Sequence, residues 1–78
     1  MDYNETITPA KGYLMNVAEI FIFHTLLGNP GMMHVTPDNK KLYFLVKGNL
    51  MYIEGDFKDM GEEELNLFLQ KALTSALN

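Results

Sequence analysis

Few residues in this chain could do chemistry. There are two histidines, His24 and His34, and no cysteine. A zinc site built on two histidines would need carboxylates to complete it, and neither histidine stands in a His-x-x-x-His or His-Glu-x-x-His spacing. A lone helical histidine reads as a satisfied, partly buried residue, so neither a metal nor a cofactor is expected. The chain has no nucleophile elbow and no glycine-rich phosphate loop. The stretch GNPG at 28–31 lacks the lysine and the length of a phosphate-binding loop. No catalytic residue is assigned, and a non-enzymatic protein is expected.

Charge is the stronger signal. Glu54, Asp56, Asp59, Glu62, Glu63 and Glu64 fall in one short segment with Lys58 as its only base, a local net of −5 against −4 for the whole chain. Acids in a first helical turn complement the helix dipole, typically by ~0.3–1 kcal/mol each. The same acids could also meet a basic surface on another protein, speeding encounter and weakening in salt. All six basic residues are lysines. Arginine is the preferred side chain for bidentate phosphate and guanine contacts, so its absence argues against direct nucleic-acid binding.

The elements that position these residues are read from periodicity and punctuation. The first helix is expected from Thr8, as N-cap with Pro9 in the first helical position, to Leu27, with Gly28 as a left-handed cap. On its wheel Gly12, Asn16 and Glu19 share a narrow face that Phe23 continues. Most of the remaining circumference is apolar, more than one sheet needs. Either the C-terminal helix covers the second side, which is the simpler expectation, or another subunit does. Three strands follow: MMHV, then KKLYFLVK after a TPDN turn, then LMYIEGDF after a Gly48–Asn49 type II′ hairpin loop. That loop pairs Val46 with Met51 and Phe44 with Ile53, and the earlier turn pairs Met33 with Leu42.

One face of this meander then carries Met33, Val35, Leu42, Phe44, Val46, Met51 and Ile53, and is the core face. The other mixes Met32, Tyr43, Leu45, Leu50 and Tyr52 with His34, Lys41, Lys47 and Glu54. Its apolar members, with Phe23, form a candidate partner or dimer interface, since tyrosine and methionine favour interface cores. The last helix is expected to begin at Asp59, with Asp59 and Glu62 resembling a capping box. Leu65, Phe68, Leu69, Ala72, Leu73 and Ala76 share its buried face.

The expected fold is a two-layer α+β domain, α-β-β-β-α, with a three-stranded antiparallel meander and two helices on one face. It is one domain over residues 1–78, with 1–7 a loose lead-in. A chain this short buries only about 60% of its unfolded surface, so self-association is one route to stability. The order and size resemble the double-stranded-RNA-binding domain. That family grips phosphate with a basic cluster at the start of its second helix, where this chain has MGEEEL, so RNA binding is not implied. Several small phage-encoded inhibitors of host proteins are similar in combining a short meander with flanking helices.

The N-terminus MDYNETITPAKG has no basic region of the secretory kind, and the apolar run Tyr13 to Leu27 is too short to cross a bilayer. A cytoplasmic protein with no membrane contact is expected. The function read from these features is a small acidic protein-binding module, homodimeric, an inhibitor or regulator of a basic, nucleic-acid-binding host protein. The alternatives are a homo-oligomer binding a small molecule at its subunit interface, or a structural protein.

Overall fold

The computed structural model describes residues 7–77; residues 1–6, residue 78 and the side chains of 75–77 lie outside that description. The first six residues of the expected lead-in, and the Ala76 side chain, therefore fall outside it. The elements in chain order are β1 (Thr8–Pro9), a 3₁₀ turn (Gly12–Leu14), α1 (Val17–Gly28), β2 (Met33–Val35), β3 (Lys41–Val46), β4 (Asn49–Glu54) and α2 (Glu62–Leu77). The strands form one antiparallel sheet in the order β1-β4-β3-β2. The α+β class is as expected. The meander gains a fourth, short strand.

The first helix begins eight residues later than its Thr8–Pro9 signal suggests. Asn16 is the N-cap: its Oδ1 accepts from the Glu19 N–H at 2.8 Å, and Glu19 Oε1 accepts from the Asn16 N–H at 3.1 Å. This reciprocal box satisfies two backbone donors that the helix itself cannot. Thr8 and Pro9 instead pair with Tyr52 and Met51 on the edge of the sheet, where the missing proline N–H costs nothing. Ile7 packs against the core. At the other end Gly28 is the last helical residue rather than a left-handed cap. Asn29 follows it, donating its N–H to the Leu26 carbonyl and its Nδ2 to that of Thr25.

The hairpin between β3 and β4 turns at Lys47 and Gly48, both at positive φ (51° and 80°), as a type I′ turn requires. The loop thus sits one residue earlier than Gly48–Asn49. The register becomes Phe44↔Met51, Tyr43↔Tyr52 and Leu42↔Ile53. The β2–β3 register also differs by two, pairing Met33 with Phe44 and Val35 with Leu42. A shift of two residues leaves every side chain on its expected face, because the strand period is two.

The layers differ from expectation in one larger respect. Leu42, Phe44 and Ile53 form a core with Phe57 and Ala72, with Leu65, Phe68 and Leu69 of α2 around it. Tyr43 and Leu50, on the opposite sheet face, form a second core with Ile22 and Leu26 of α1. The helices therefore cover opposite faces, giving three layers: α1, sheet, α2. The reason is the composition of β3, which is apolar on both sides and needs a cover on each.

The sheet also fixes where α2 starts. Gly55 donates its N–H to Lys40 O, and Phe57 to Asn39 O, tying the segment after β4 to the turn before β3. The Phe57 ring is buried against Phe68 at 5.5 Å between centroids. Asp59 lies in the turn that follows, so it does not cap. The Gly61 carbonyl accepts the first helical bond, from Leu65 N–H, and α2 begins at Glu62.

Two independently filled cores predict two independent losses. Leu26→Ala on the α1 side and Ile53→Ala on the α2 side should each lower unfolding free energy by ~2–5 kcal/mol, read from urea denaturation. A surface-like loss under ~0.5 kcal/mol for Leu26→Ala would contradict a packed α1 layer.

Candidate functional site

The sheet face expected to await a partner is covered by the chain itself. Tyr43 and Leu50 are buried beneath α1, and Leu45, Tyr52 and Phe23 are half-buried in the same cluster. Of the six apolar residues assigned to that interface only Met32 is exposed, in the turn before β2. They are core, and the correction follows from the placement of α1.

Covering the face with α1 moves the exposed apolar surface one layer outward. Along α1, Glu19, Ile22, Phe23 and Leu26 follow the i, i+3, i+4, i+7 rule and face the sheet. A second stripe, Val17, Ile20, Phe21, His24 and Leu27, repeats with the same spacing on the opposite side. Every member of it is exposed, Val17 by 84% and Phe21 by 70%. Tyr13 and Leu14 of the 3₁₀ turn, which precedes α1 in the chain, are also exposed, Tyr13 by 95%. The C-terminal helix, expected to cover this side, is on the far face of the sheet. No Asp, Glu, Lys or Arg side chain stands in the stripe. Glu19, the one charged residue between Val17 and Gly28, is turned to the sheet.

Glu19 there has two roles. Its Oε1 closes the capping box, and its Oε2 accepts a hydrogen bond from the Tyr43 hydroxyl at 2.8 Å. One carboxylate thus fixes both the first turn of α1 and the seat of that turn on the central strand. Burial raises the Tyr43 hydroxyl well above its ordinary pKa of 10.0, and the Glu19 carboxylate beside it adds to the rise. Tyr43 also lies 5.4 Å from the Tyr52 ring across the strands, and the Lys41 ammonium stands 4.8 Å over that second ring. The Asn16-Val17-Ala18-Glu19 pattern was the available signal for this cap, since Asn followed three residues later by Glu marks a helix start.

The six acids are all exposed. They do not form a uniform patch. Glu54 is the cross-strand partner of Lys41, and Asp56 follows the backbone link between Gly55 and Lys40. Folding therefore brings Lys40 and Lys41, besides Lys58, to the Glu54–Asp59 half, which dilutes the charge that sequence distance alone concentrates. Glu62, Glu63 and Glu64 stand together in the first turn of α2, with Lys71 lining the same surface hollow as Glu64.

His24 and His34 lie on α1 and β2. Among the described residues no three or more His, Cys, Asp or Glu side chains are grouped to hold a metal ion. Nor is any helix among them long and apolar enough to cross a membrane. No protein-family model, no curated protein and no solved structure matches the chain.

The Tyr43–Glu19 bond makes a signed prediction. A hydroxyl whose pKa is raised by folding contributes stability fully below its unfolded value, and that contribution is lost as pH climbs towards the folded value. Wild-type thermal stability should fall as pH rises above about 10 more steeply than that of Tyr43→Phe, which has no proton to lose. Parallel curves for the two proteins would show that the hydroxyl is not held by folding.

Proposed function

We propose that the protein is a small non-catalytic binding module that works as a homodimer joined through the outward face of α1. On this reading it is a cytoplasmic inhibitor or regulator of a partner with a basic surface. The observation that carries the reading is the second stripe of α1, apolar but for His24, exposed in the single chain and free of Asp, Glu, Lys and Arg. Tyr13, Leu14, Val17, Ile20, Phe21 and Leu27 are all large apolar side chains left exposed, in a segment of 15 residues. Clustered apolar exposure of this kind marks a contact site.

The occupant we assign to it is a second copy. The stripe offers no charge to complement a basic partner, whereas two identical apolar helices satisfy each other about a two-fold axis. Joined in this way, the dimer carries both α2 helices on its outer sides. The Glu62–Glu64 turns stay clear of the interface and free to steer a basic protein. Two such turns per dimer also favour a partner with repeated basic sites.

Two measurements test this. Sedimentation equilibrium of the wild type should give a dimer, and Phe21→Asp should give a folded monomer, its exposed position sparing the cores. A monomeric wild type at tens of micromolar would sink the α1 interface. Separately, Glu62→Lys/Glu63→Lys/Glu64→Lys should keep the dimer and the fold while losing a basic partner captured from host lysate at low salt. Retention of that partner by the reversed protein would remove the acidic turn from the function.

A further inference from the structure

β2 is an outer strand of the sheet, hydrogen-bonded only to β3. Which of its backbone groups are free follows from the ladder. Thr36 N–H donates to Lys41 O at 3.0 Å. Hydrogen-bonded pairs alternate along antiparallel strands, so His34–Tyr43 is the next such pair. Met33 and Val35 then turn their N–H and C=O groups to the open edge, where no other described residue takes them up. β1, the other edge strand, is blunted by Pro9; β2 contains no proline.

The side chains of Met33 and Val35 point to the α2 side, where a groove of about 400 Å³ runs between β2 and the start of α2. Its apolar lining is Met32, Met33, Val35 and Leu65, and its polar side is Glu62 and Asn66. The Asn66 amide is engaged with the Glu62 backbone carbonyl at 3.1 Å. The Glu62 carboxylate has no cationic partner among the described residues.

We propose that this edge and groove bind an extended peptide segment in which a lysine or arginine stands between apolar residues. The segment adds as a fifth strand beside β2. Its backbone takes the free groups of Met33 and Val35, which supplies affinity whatever the sequence. Every second side chain then drops towards Met33, Val35 and Leu65, and the basic one meets Glu62, with Glu63 and Glu64 adding to the local potential. A second copy is a poorer occupant of the same edge. Pairing β2 with β2 about a two-fold axis would put both α2 helices on one face of the joined sheet. Two Glu62–Glu64 turns would then flank the junction. The proposal rests on the protein-binding reading but uses the open edge of β2 and the α2 side of the sheet rather than the α1 stripe, so the two fail separately.

The test uses the full chain and three synthetic probes. The first is a capped nine-residue peptide of alternating valine and threonine with one central lysine. The second has glutamate in place of the lysine. The third is the lysine peptide N-methylated at alternate backbone amides. Backbone amide chemical shifts should move on titration with the lysine peptide, chiefly at Met33, Val35 and the first turn of α2. The glutamate and N-methylated peptides should bind at least ~10-fold more weakly, and Glu62→Lys should weaken the lysine peptide by about tenfold. Phe21→Asp should bind it unchanged.

Equal binding of all three peptides, or shifts elsewhere than β2, would overturn the proposal. So would concentration-dependent β2 shifts in peptide-free protein, which would assign the edge to a second copy. Loss of the Phe21→Asp monomer with peptide binding intact would instead count against the α1 reading alone.

Discussion

The two-sided apolar alternation of β3 is the constraint on which the rest of this structure depends. Leu42 and Phe44 point one way and Tyr43 and Leu45 the other, and Leu42, Phe44 and Tyr43 are buried. A strand of this kind cannot leave either face wet. The described residues form two α-helices, and each face takes one. Nothing among the described elements is then left to cover the outer side of α1, although that side carries Val17, Ile20, Phe21 and Leu27. The exposed stripe follows from the core: satisfying both sheet faces passes the uncovered apolar surface to the helix.

Glu19 shows how a small domain holds such a layer in place. A helix lying on a sheet can slide or roll unless something polar fixes its register. Here the carboxylate that caps α1 also receives the Tyr43 hydroxyl from the middle of β3. A hydrogen bond to an ionised acceptor is among the stronger kinds, and this one is part-buried, where competition from water is reduced. It also leaves the outward stripe of α1 free of charge, because the helix's one acid is directed inward. Cap, anchor and bare outer face thus have a common origin in one residue.

Much of this was legible in the sequence, and the exceptions have physical causes. The α+β class, the two helices, the three long-range strands and the membership of both sheet faces all follow from period-two and period-3.6 patterns. The hairpin register was off by two residues, yet the faces stood, because only an odd shift exchanges them. The placement of α1 did not follow. Tyr43, Leu45, Leu50 and Tyr52 interleave with Lys41, Lys47 and Glu54, and that mixture reads as a solvent face when the lysine stems and the Lys41–Tyr52 stacking are not visible. Thr8-Pro9 outweighed Asn16-x-x-Glu19 as a helix start because proline at the first helical position is a strong local signal, while the pairing of Thr8 and Pro9 with β4 is a contact across the fold. The acidic segment looked denser than it is, because Lys40 and Lys41 reach it only through strand pairing.

The central claim is that α1 is the inner layer of a dimer and α2 the outer one. The chain has no native cysteine, so single labels can be placed without interference. Spin labels on Ala18→Cys in α1 and, in a second protein, on Gln70→Cys in α2 would be measured by pulsed dipolar spectroscopy for the distance between copies. A short, well-defined distance for α1 and a clearly longer one for α2 is the predicted result. No coupling between copies at α1, or a shorter distance at α2 than at α1, would contradict it.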